Sequence, residues 1–174
     1  MEGLVAGLAG GLAGTIAMGQ FQNGWQKASK ALQAGHNGGS AKSDSGKQSH
    51  HEAEDATMKA AGKLAAVAGY KLTHEQKKKA GPIVHYGFGT GMGALYGVLQ
   101  EVAPNSLRKL HLLLAGLGYA SALFVGADKL AVPTLGLSGS PQKTPISARV
   151  YGFASHVVYG LTGEMVRRTV RNHL

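Results

Sequence analysis

The chain has 174 residues, which suits a single domain, and its 18 lysines and arginines outnumber its 9 aspartates and glutamates. Charged residues make up 16% of the chain, against about 25% in an ordinary soluble domain, and 27 residues are glycine. The absence of cysteine excludes a disulfide scaffold, an iron–sulfur cluster and a thiolate zinc site.

The charges are distributed unevenly along the chain. One stretch of 24 residues contains no Asp, Glu, Lys or Arg. A helix needs roughly 20 apolar residues to cross a bilayer, and two further charge-free stretches reach or approach that length. A fourth stretch approaches it if Glu164 is tolerated within the span. A soluble core helix normally keeps a polar face, which these stretches lack. The sequence therefore predicts an all-α integral membrane bundle of four transmembrane helices, at about residues 3–25, 81–103, 107–130 and 147–166.

The first predicted span begins directly after Met1 and Glu2. A signal peptide opens with positive charge, so we expect this span to be retained. Glycines recur four residues apart in it and in later spans, a spacing that lets helices approach closely in lipid. The predicted helix-packing positions are Gly7, Gly11, Gly89, Gly93, Gly97, Gly118, Gly126 and Gly160. These positions either pack the spans of one chain together or leave one glycine face for another subunit.

Residues 27–80 form a polar insertion between the first and second spans. Residues 35–50 are rich in Gly, Ser and Lys, as in a flexible linker. From about residue 52 to 70 apolar residues recur at helical spacing behind three acidic residues, which suit a helix N-terminus. This pattern predicts an amphipathic helix that lies on the membrane surface or covers the bundle. Histidines beside these acids resemble metal ligands only in composition, and no metal site is predicted.

Several ionisable residues fall within the predicted spans, where they are costly and suggest function by default. His85 in the second span and His156 in the fourth lie toward the same side of an up-down bundle. They could satisfy neighbouring polar groups, respond to protons, or act as axial ligands of a b-type haem. Glu101 and Glu164 lie near span ends, and Glu164 precedes Arg167 by a spacing that brings helix neighbours into contact.

The net charge of +9 would favour a nucleic-acid partner for a soluble protein. Here the bases flank the spans without stacking aromatic residues, so anionic lipid headgroups are the expected partner and nucleic acid is not. Five bases lie on the side of the termini and thirteen on the other side, most of them in the long insertion. Because long loops influence orientation weakly, the charge count leaves the topology open.

A family resemblance is carried by the last three predicted spans and the loops between them. The run Ser155-His156-Val157-Val158-Tyr159-Gly160 followed by Glu164-Met165-Val166-Arg167-Arg168 resembles the C-terminal helix of the YagU-like family of bacterial inner-membrane proteins. The middle helices of that family and the loop before its final helix are similar to further residues of this chain, namely His85, Glu101-Val102, Pro104, Leu114-Ala115-Gly116, Pro133, Leu135-Gly136-Leu137 and Pro141. The resemblance covers about residues 81–172, with a looser match of the first span, and the insertion at residues 27–79 departs from it. It implies a multipass inner-membrane protein with cytoplasmic termini and no established activity, linked in one member to survival at acidic pH.

The sequence supports three functional hypotheses. The first is a non-enzymatic membrane protein with a structural or accessory role, which packs against other membrane subunits through glycine-rich helix faces. The second is an acid-stress or transporter-like factor in which His85 and His156 respond to protons. The third is a haem- or pigment-associated electron-transfer subunit. No nucleophile–base arrangement is visible, so no catalytic residue is predicted and the first hypothesis is favoured.

Overall fold

The computed structural model describes residues 1–36, 55–137 and 146–174. The predicted linker at 35–50, apart from its first two residues, and the predicted helical residues 52–54 lie outside these ranges. The all-α prediction is confirmed, because no strand occurs among the described residues. In chain order the helices are α1 Glu2–His36, α2 Ala56–Val67, α3 His74–Val102, α4 Asn105–Arg108, α5 Leu112–Leu123, the π-helical segment Phe124–Ala131, α6 Val132–Thr134 and α7 Ile146–His173.

Two helical stretches are long and apolar enough to cross a membrane, Glu2–Leu32 and Leu112–Thr134. Less than half of each apolar window is buried inside the protein. The other two predicted spans lie within α3 and α7, where glycine, histidine and charged residues lower the mean hydropathy. The arrangement of four crossing helices therefore remains a prediction for α3 and α7.

The predicted amphipathic helix is shorter than the pattern indicated. The Asp55 carboxylate accepts a hydrogen bond from the backbone N–H of Met58 at 2.8 Å, which starts α2 at Ala56. The helix stops before Gly69, whose φ of 84° lies in the left-handed region that favours glycine. Met58 packs beside Gly81, so α2 lies along the first turns of α3.

The third long helix begins later than the predicted residue 107. The short helix α4 comes first, and the His111 side chain then accepts a hydrogen bond from the backbone N–H of Leu113 at 3.4 Å, which caps α5. The helix continues through the π-helical segment to Thr134. The sequence pattern placed the apolar stretch correctly but did not show this cap.

α1 and α3 pack together through glycine. The helices run antiparallel, so that Gly7 and Gly11 on α1 lie against Gly93 on α3. A Cβ atom added at Gly11 would lie 2.7 Å from the carbonyl oxygen of Gly89, and one added at Gly97 would lie 2.7 Å from the Cα atom of Gly7. Contacts this short leave no room for a larger residue unless the helices separate.

α7 packs against a second face of α1 and against α5. A Cβ atom added at Gly14 would lie 2.7 Å from the carbonyl oxygen of Tyr159, and one added at Gly160 would lie 2.5 Å from that of Gly116. Because α3 and α7 both run antiparallel to α1, they are parallel to each other. Most predicted glycine positions thus lie at contacts within the chain.

Two predicted helix-packing positions differ from the rest. A Cβ atom added at Gly118 or Gly126 would meet no described atom within 4 Å, and the same holds for Gly87 and Gly91 on α3. These four glycines face outward from the described part of the bundle. Glycine spacing alone does not show which face of a helix is turned inward, so the sequence could not separate the two groups.

Candidate functional site in the polar interior

Six charged side chains meet where α1 begins and where α3 and α7 end. This charged cluster consists of Glu2, Glu101, Glu164, Arg167, Arg168 and Arg171. Three acidic groups face three basic groups, so their formal charges cancel. Such compensation matters because an unpaired charge in a low-dielectric interior is strongly unfavourable.

Glu164 is the most deeply buried member of the charged cluster, with no exposed surface. Arg167 donates hydrogen bonds to both carboxylate oxygens of Glu164, from Nε to Oε2 at 2.6 Å and from Nη2 to Oε1 at 2.9 Å. Arg168 donates from Nε to Oε1 at 2.6 Å and from Nη2 to the carbonyl oxygen of Leu110 at 2.7 Å. The predicted contact between Glu164 and Arg167 is present, but it is buried and includes a second arginine.

Arg171 links the other two glutamates of the charged cluster. Its guanidinium lies 2.6 Å from Glu101 on α3 and 2.7 Å from Glu2 on α1. The hydrogen bond to Glu101 raises the pKa of the Arg171 guanidinium above its usual value, so this side chain stays cationic. The pairs are partly exposed, and solvent weakens them relative to the buried Glu164 pairs.

Three tyrosines, Tyr96, Tyr119 and Tyr159, form a tyrosine column that continues inward from the charged cluster. The Arg167 guanidinium lies 5.5 Å from the centre of the Tyr96 ring, which stacks on Tyr119 at 4.0 Å between ring centres. The hydroxyl oxygens of Tyr119 and Tyr159 are 3.2 Å apart, and the Tyr159 hydroxyl donates to the carbonyl oxygen of Gly89 at 2.6 Å. The column joins α3, α5 and α7 through polar contacts.

The two predicted histidines lie about one helical turn beyond the tyrosine column. His156 is buried, with Nδ1 2.8 Å from the carbonyl oxygen of Gly152 and its ring centre 5.6 Å from that of Phe124. Nε2 of His85 is also buried, and none of the residues in the described ranges gives it a hydrogen-bond partner. The structure thus brings both histidines to the same level of the bundle.

A b-type haem held by His85 and His156 would need a slot wide enough for a porphyrin between α3 and α7. The Tyr159 hydroxyl on α7 instead bonds directly to the backbone of α3 one turn away. Nδ1 of His156 bonds its own helix, and Phe124 packs against its ring. The residues present therefore do not fit a haem between these histidines.

Two aromatic groups were not singled out from the sequence. One is the tyrosine column. The other is an aromatic cluster of Phe21, Trp25 and Tyr151, which lies at the end of the bundle opposite the charged cluster. In this aromatic cluster the centres of the Trp25 and Tyr151 rings are 5.7 Å apart. The available signal for the column was a tyrosine inside each of three predicted spans.

The described part of the bundle buries several polar side chains and leaves many large apolar side chains exposed. The largest fully buried side chains are all polar: Glu164, Thr15 and Ser155. Large apolar side chains on the long helices are 40% exposed or more, including Val5, Leu12, Ile16, Phe88, Leu95, Leu99, Leu113, Leu114, Val125, Val150 and Phe153. Among the described residues the interior thus combines small residues, polar groups and a small apolar cluster of Met18, Leu123 and Tyr159, while most large apolar side chains face outward.

The chain was also compared with known proteins. No family model, no curated protein and no solved structure matches it. The similarity of its last span to the YagU-like family therefore stays a prediction from the sequence.

Proposed function

We propose that this chain is a membrane-integral protein without catalytic chemistry, in which α1, α3, the stretch from α5 to α6, and α7 all cross the bilayer. The observation that carries the proposal is the exposure of many large apolar side chains on a bundle that buries a charged group. Buried Glu164, Thr15 and Ser155 are screened from lipid, while exposed leucine, valine and phenylalanine side chains face it. In water the same surface would expose an extended apolar area, which soluble proteins avoid.

The dimensions of the bundle support this placement. Along α1 the distance from Glu2 in the charged cluster to Trp25 in the aromatic cluster is about 35 Å at 1.5 Å per residue. A bilayer has a hydrocarbon core of about 30 Å, with charged and aromatic side chains enriched at its boundaries. The two clusters mark the two membrane surfaces in this proposal.

The proposed role is structural or accessory, through contact with another subunit of the bacterial inner membrane. The glycine contacts of α1 with α3 and α7 hold the chain itself together. Gly87 and Gly91 on α3 and Gly118 on α5 stay open on the outer surface, where small residues let a partner helix approach closely. In the family-based orientation the termini are cytoplasmic, and the flanking bases contact anionic headgroups.

Extraction from native membranes tests both parts of this proposal. We expect the protein to stay in the membrane pellet at alkaline pH and high salt, and to dissolve only with detergent. Blue-native electrophoresis in mild detergent should then place it in a larger assembly. Release by alkali alone would contradict membrane integration, whereas a monomer of 17.9 kDa would contradict only the accessory role.

A second candidate function is a response to protons, favoured by the buried, unpartnered Nε2 atom of His85 beside His156. The charged and titratable groups that act on His85 are Asp55 and His156. Protonation of both histidines would place two positive charges on facing helices, and their repulsion would act on the contact between α3 and α7. This role would use the same membrane bundle without the accessory contact.

Substitution of the histidines tests this second role. In a strain without the native copy, H85Q/H156Q is expected to lower survival and cytoplasmic pH under acid challenge, because neither glutamine can take up a proton. His173→Gln is the matched control, since His173 is exposed at the end of α7. Equal survival of the double variant, the control and the unchanged protein would exclude a proton response through these residues.

A further inference from the structure

α2 packs on the bundle with one face and presents a second apolar face outward. On the inner face Met58 is buried beside Gly81 of α3. On the other side Leu64 and Val67, three residues apart on the helix, are 62% and 90% exposed, and Tyr70 in the turn that follows is 70% exposed. These three side chains form the outer face of α2, which is open to whatever surrounds the protein there.

The outer face of α2 lies at the level of the aromatic cluster. The glycine pairing of α1 with α3, continued at equal rise along the two antiparallel helices, places Trp25 level with Glu75 near the start of α3. α2 lies beside the same turns, since a Cβ atom added at Gly62 would lie 2.8 Å from the side chain of Lys77. In the proposed bilayer, α2 therefore lies at a membrane surface.

A hydrogen bond also fixes α2 to the end of the third long helix. Nζ of Lys63 donates to the carbonyl oxygen of Leu135, the residue at which α6 ends. The last carbonyl groups of a helix have no partner within it, so the lysine satisfies one of them. Because α2 is held to both α3 and α6, its outer face keeps one orientation relative to the bundle.

The lysines at this end of the bundle lack acidic partners among the described residues. Residues 55–82 carry six lysines and two acidic residues. Within the described ranges no ion pair joins an acidic side chain to Lys59, Lys71 or Lys79, nor to Lys27 or Lys30 on α1. The arginines of the charged cluster are, in contrast, each paired with a glutamate. The end with α2 thus presents positive charge that needs a negative partner.

An anionic phospholipid fits both properties of this surface. Its headgroup supplies negative charge beside Lys59 and Lys71, and its glycerol and upper acyl region supply apolar contact for Leu64 and Val67. Amphipathic helices bind membranes through this combination of apolar burial and attraction to anionic lipid. A zwitterionic lipid supplies the apolar contact without net charge, so the surface discriminates between the two classes of lipid.

We propose that the outer face of α2 and the lysines beside it bind anionic phospholipid in the leaflet at the aromatic cluster. The inference rests on the proposed membrane integration of the chain. It deepens that proposal by naming the helix that recognises lipid and the class of lipid that it selects. α2 then covers the bundle with one face and anchors it to the headgroup layer with the other.

Quenching of tryptophan fluorescence by brominated lipid tests the contact. Trp25 is the only tryptophan of the chain, so Trp25→Phe together with Tyr70→Trp moves the fluorophore to the outer face of α2. This reporter chain is reconstituted at full length in vesicles of phosphatidylglycerol and phosphatidylcholine in equal parts, with one or the other brominated in the upper acyl chain. Quenching should show about a fivefold preference for phosphatidylglycerol, the factor expected for one lysine at an anionic surface. High salt should weaken the preference by screening.

Two double variants of the reporter chain locate the charge that selects the lipid. Lys59→Gln/Lys71→Gln should remove most of the preference for phosphatidylglycerol while leaving the quenching by phosphatidylcholine unchanged. Arg108→Gln/Lys109→Gln is the matched control, because it removes the same charge from exposed residues in the short loop near the charged cluster. This control should keep the full preference.

The outcomes separate the lipid contact from membrane integration. No quenching by either brominated lipid would show that the outer face of α2 is away from the bilayer and would overturn the proposal. Equal quenching by the two lipids would overturn the anionic preference and leave the lysines to an acidic protein partner. A preference that persists in Lys59→Gln/Lys71→Gln would overturn the role of these lysines. In each case a chain that resists alkaline extraction is still membrane-integral, whereas release by alkali rejects integration itself.

Discussion

Gly93→Ala is expected to destabilise the protein by about 2–3 kcal/mol, although alanine is the better helix former. A Cβ atom at this position would lie 2.6 Å from the carbonyl oxygen of Gly7 and would meet the backbone of Gly11 as well. Backbone atoms on α1 cannot rotate away as a side chain would, so the two helices must separate. The free energy of unfolding in mixed micelles, measured by circular dichroism as the fraction of denaturing detergent rises, gives the effect.

Gly91→Ala is the matched control for this variant. Gly91 lies two residues before Gly93 on the same helix, and a Cβ atom there would meet no described atom within 4 Å. Its substitution should be neutral or should stabilise α3 by up to about 1 kcal/mol. Equal stability of the two variants would mean that the glycine contact between α1 and α3 is absent.

Glu164→Gln is expected to lower the free energy of unfolding by about 3–5 kcal/mol, the cost of leaving buried charge uncompensated. The substitution keeps the shape of the side chain but removes the charge that faces Arg167 and Arg168. The same unfolding titration measures it. Adding Arg167→Gln should recover part of the loss, because one of the stranded charges is then removed.

Glu101→Gln provides the comparison with a partly exposed pair. Glu101 and Arg171 are each about one-third exposed, so solvent screens their attraction. Its removal should change stability by about 1 kcal/mol or less. A loss for Glu101→Gln as large as that for Glu164→Gln would show that Glu164 is not the buried centre of the charged cluster.

The sequence predicted the helices well because their causes are local. The charge-free stretches and the glycine spacing are visible without a structure, and so is the spacing of Glu164 and Arg167. Helix boundaries were less accurate where a single side chain decides them, as Asp55 does for α2 and His111 for α5. Neighbouring residues of similar type could also cap these helices, so a periodic apolar pattern does not show which residue does so.

The interior was harder to predict because it depends on how the helices are rotated. The glycine spacing predicted both Gly93 and Gly118 as packing positions, yet only at Gly93 would a Cβ atom meet a neighbouring helix. The stacking of Tyr96 on Tyr119 joins residues from helices that follow one another but are not closely packed. Such contacts follow from the common packing of α1, α3, α5 and α7, which no local pattern encodes.

Site-directed spin labelling along α3 tests the account most directly, because α3 was a predicted span that did not reach the apolarity of α1. The chain contains no cysteine, so single cysteines at Phe88, Leu95 and Glu75 can be labelled without background. In lipid vesicles the labels at Phe88 and Leu95 should be accessible to oxygen and shielded from a water-soluble nickel relaxer, because they face the bilayer. Glu75, which is exposed near the start of α3, should show the opposite pattern. Nickel accessibility at Phe88 and Leu95 equal to that at Glu75 would contradict the membrane placement of the bundle.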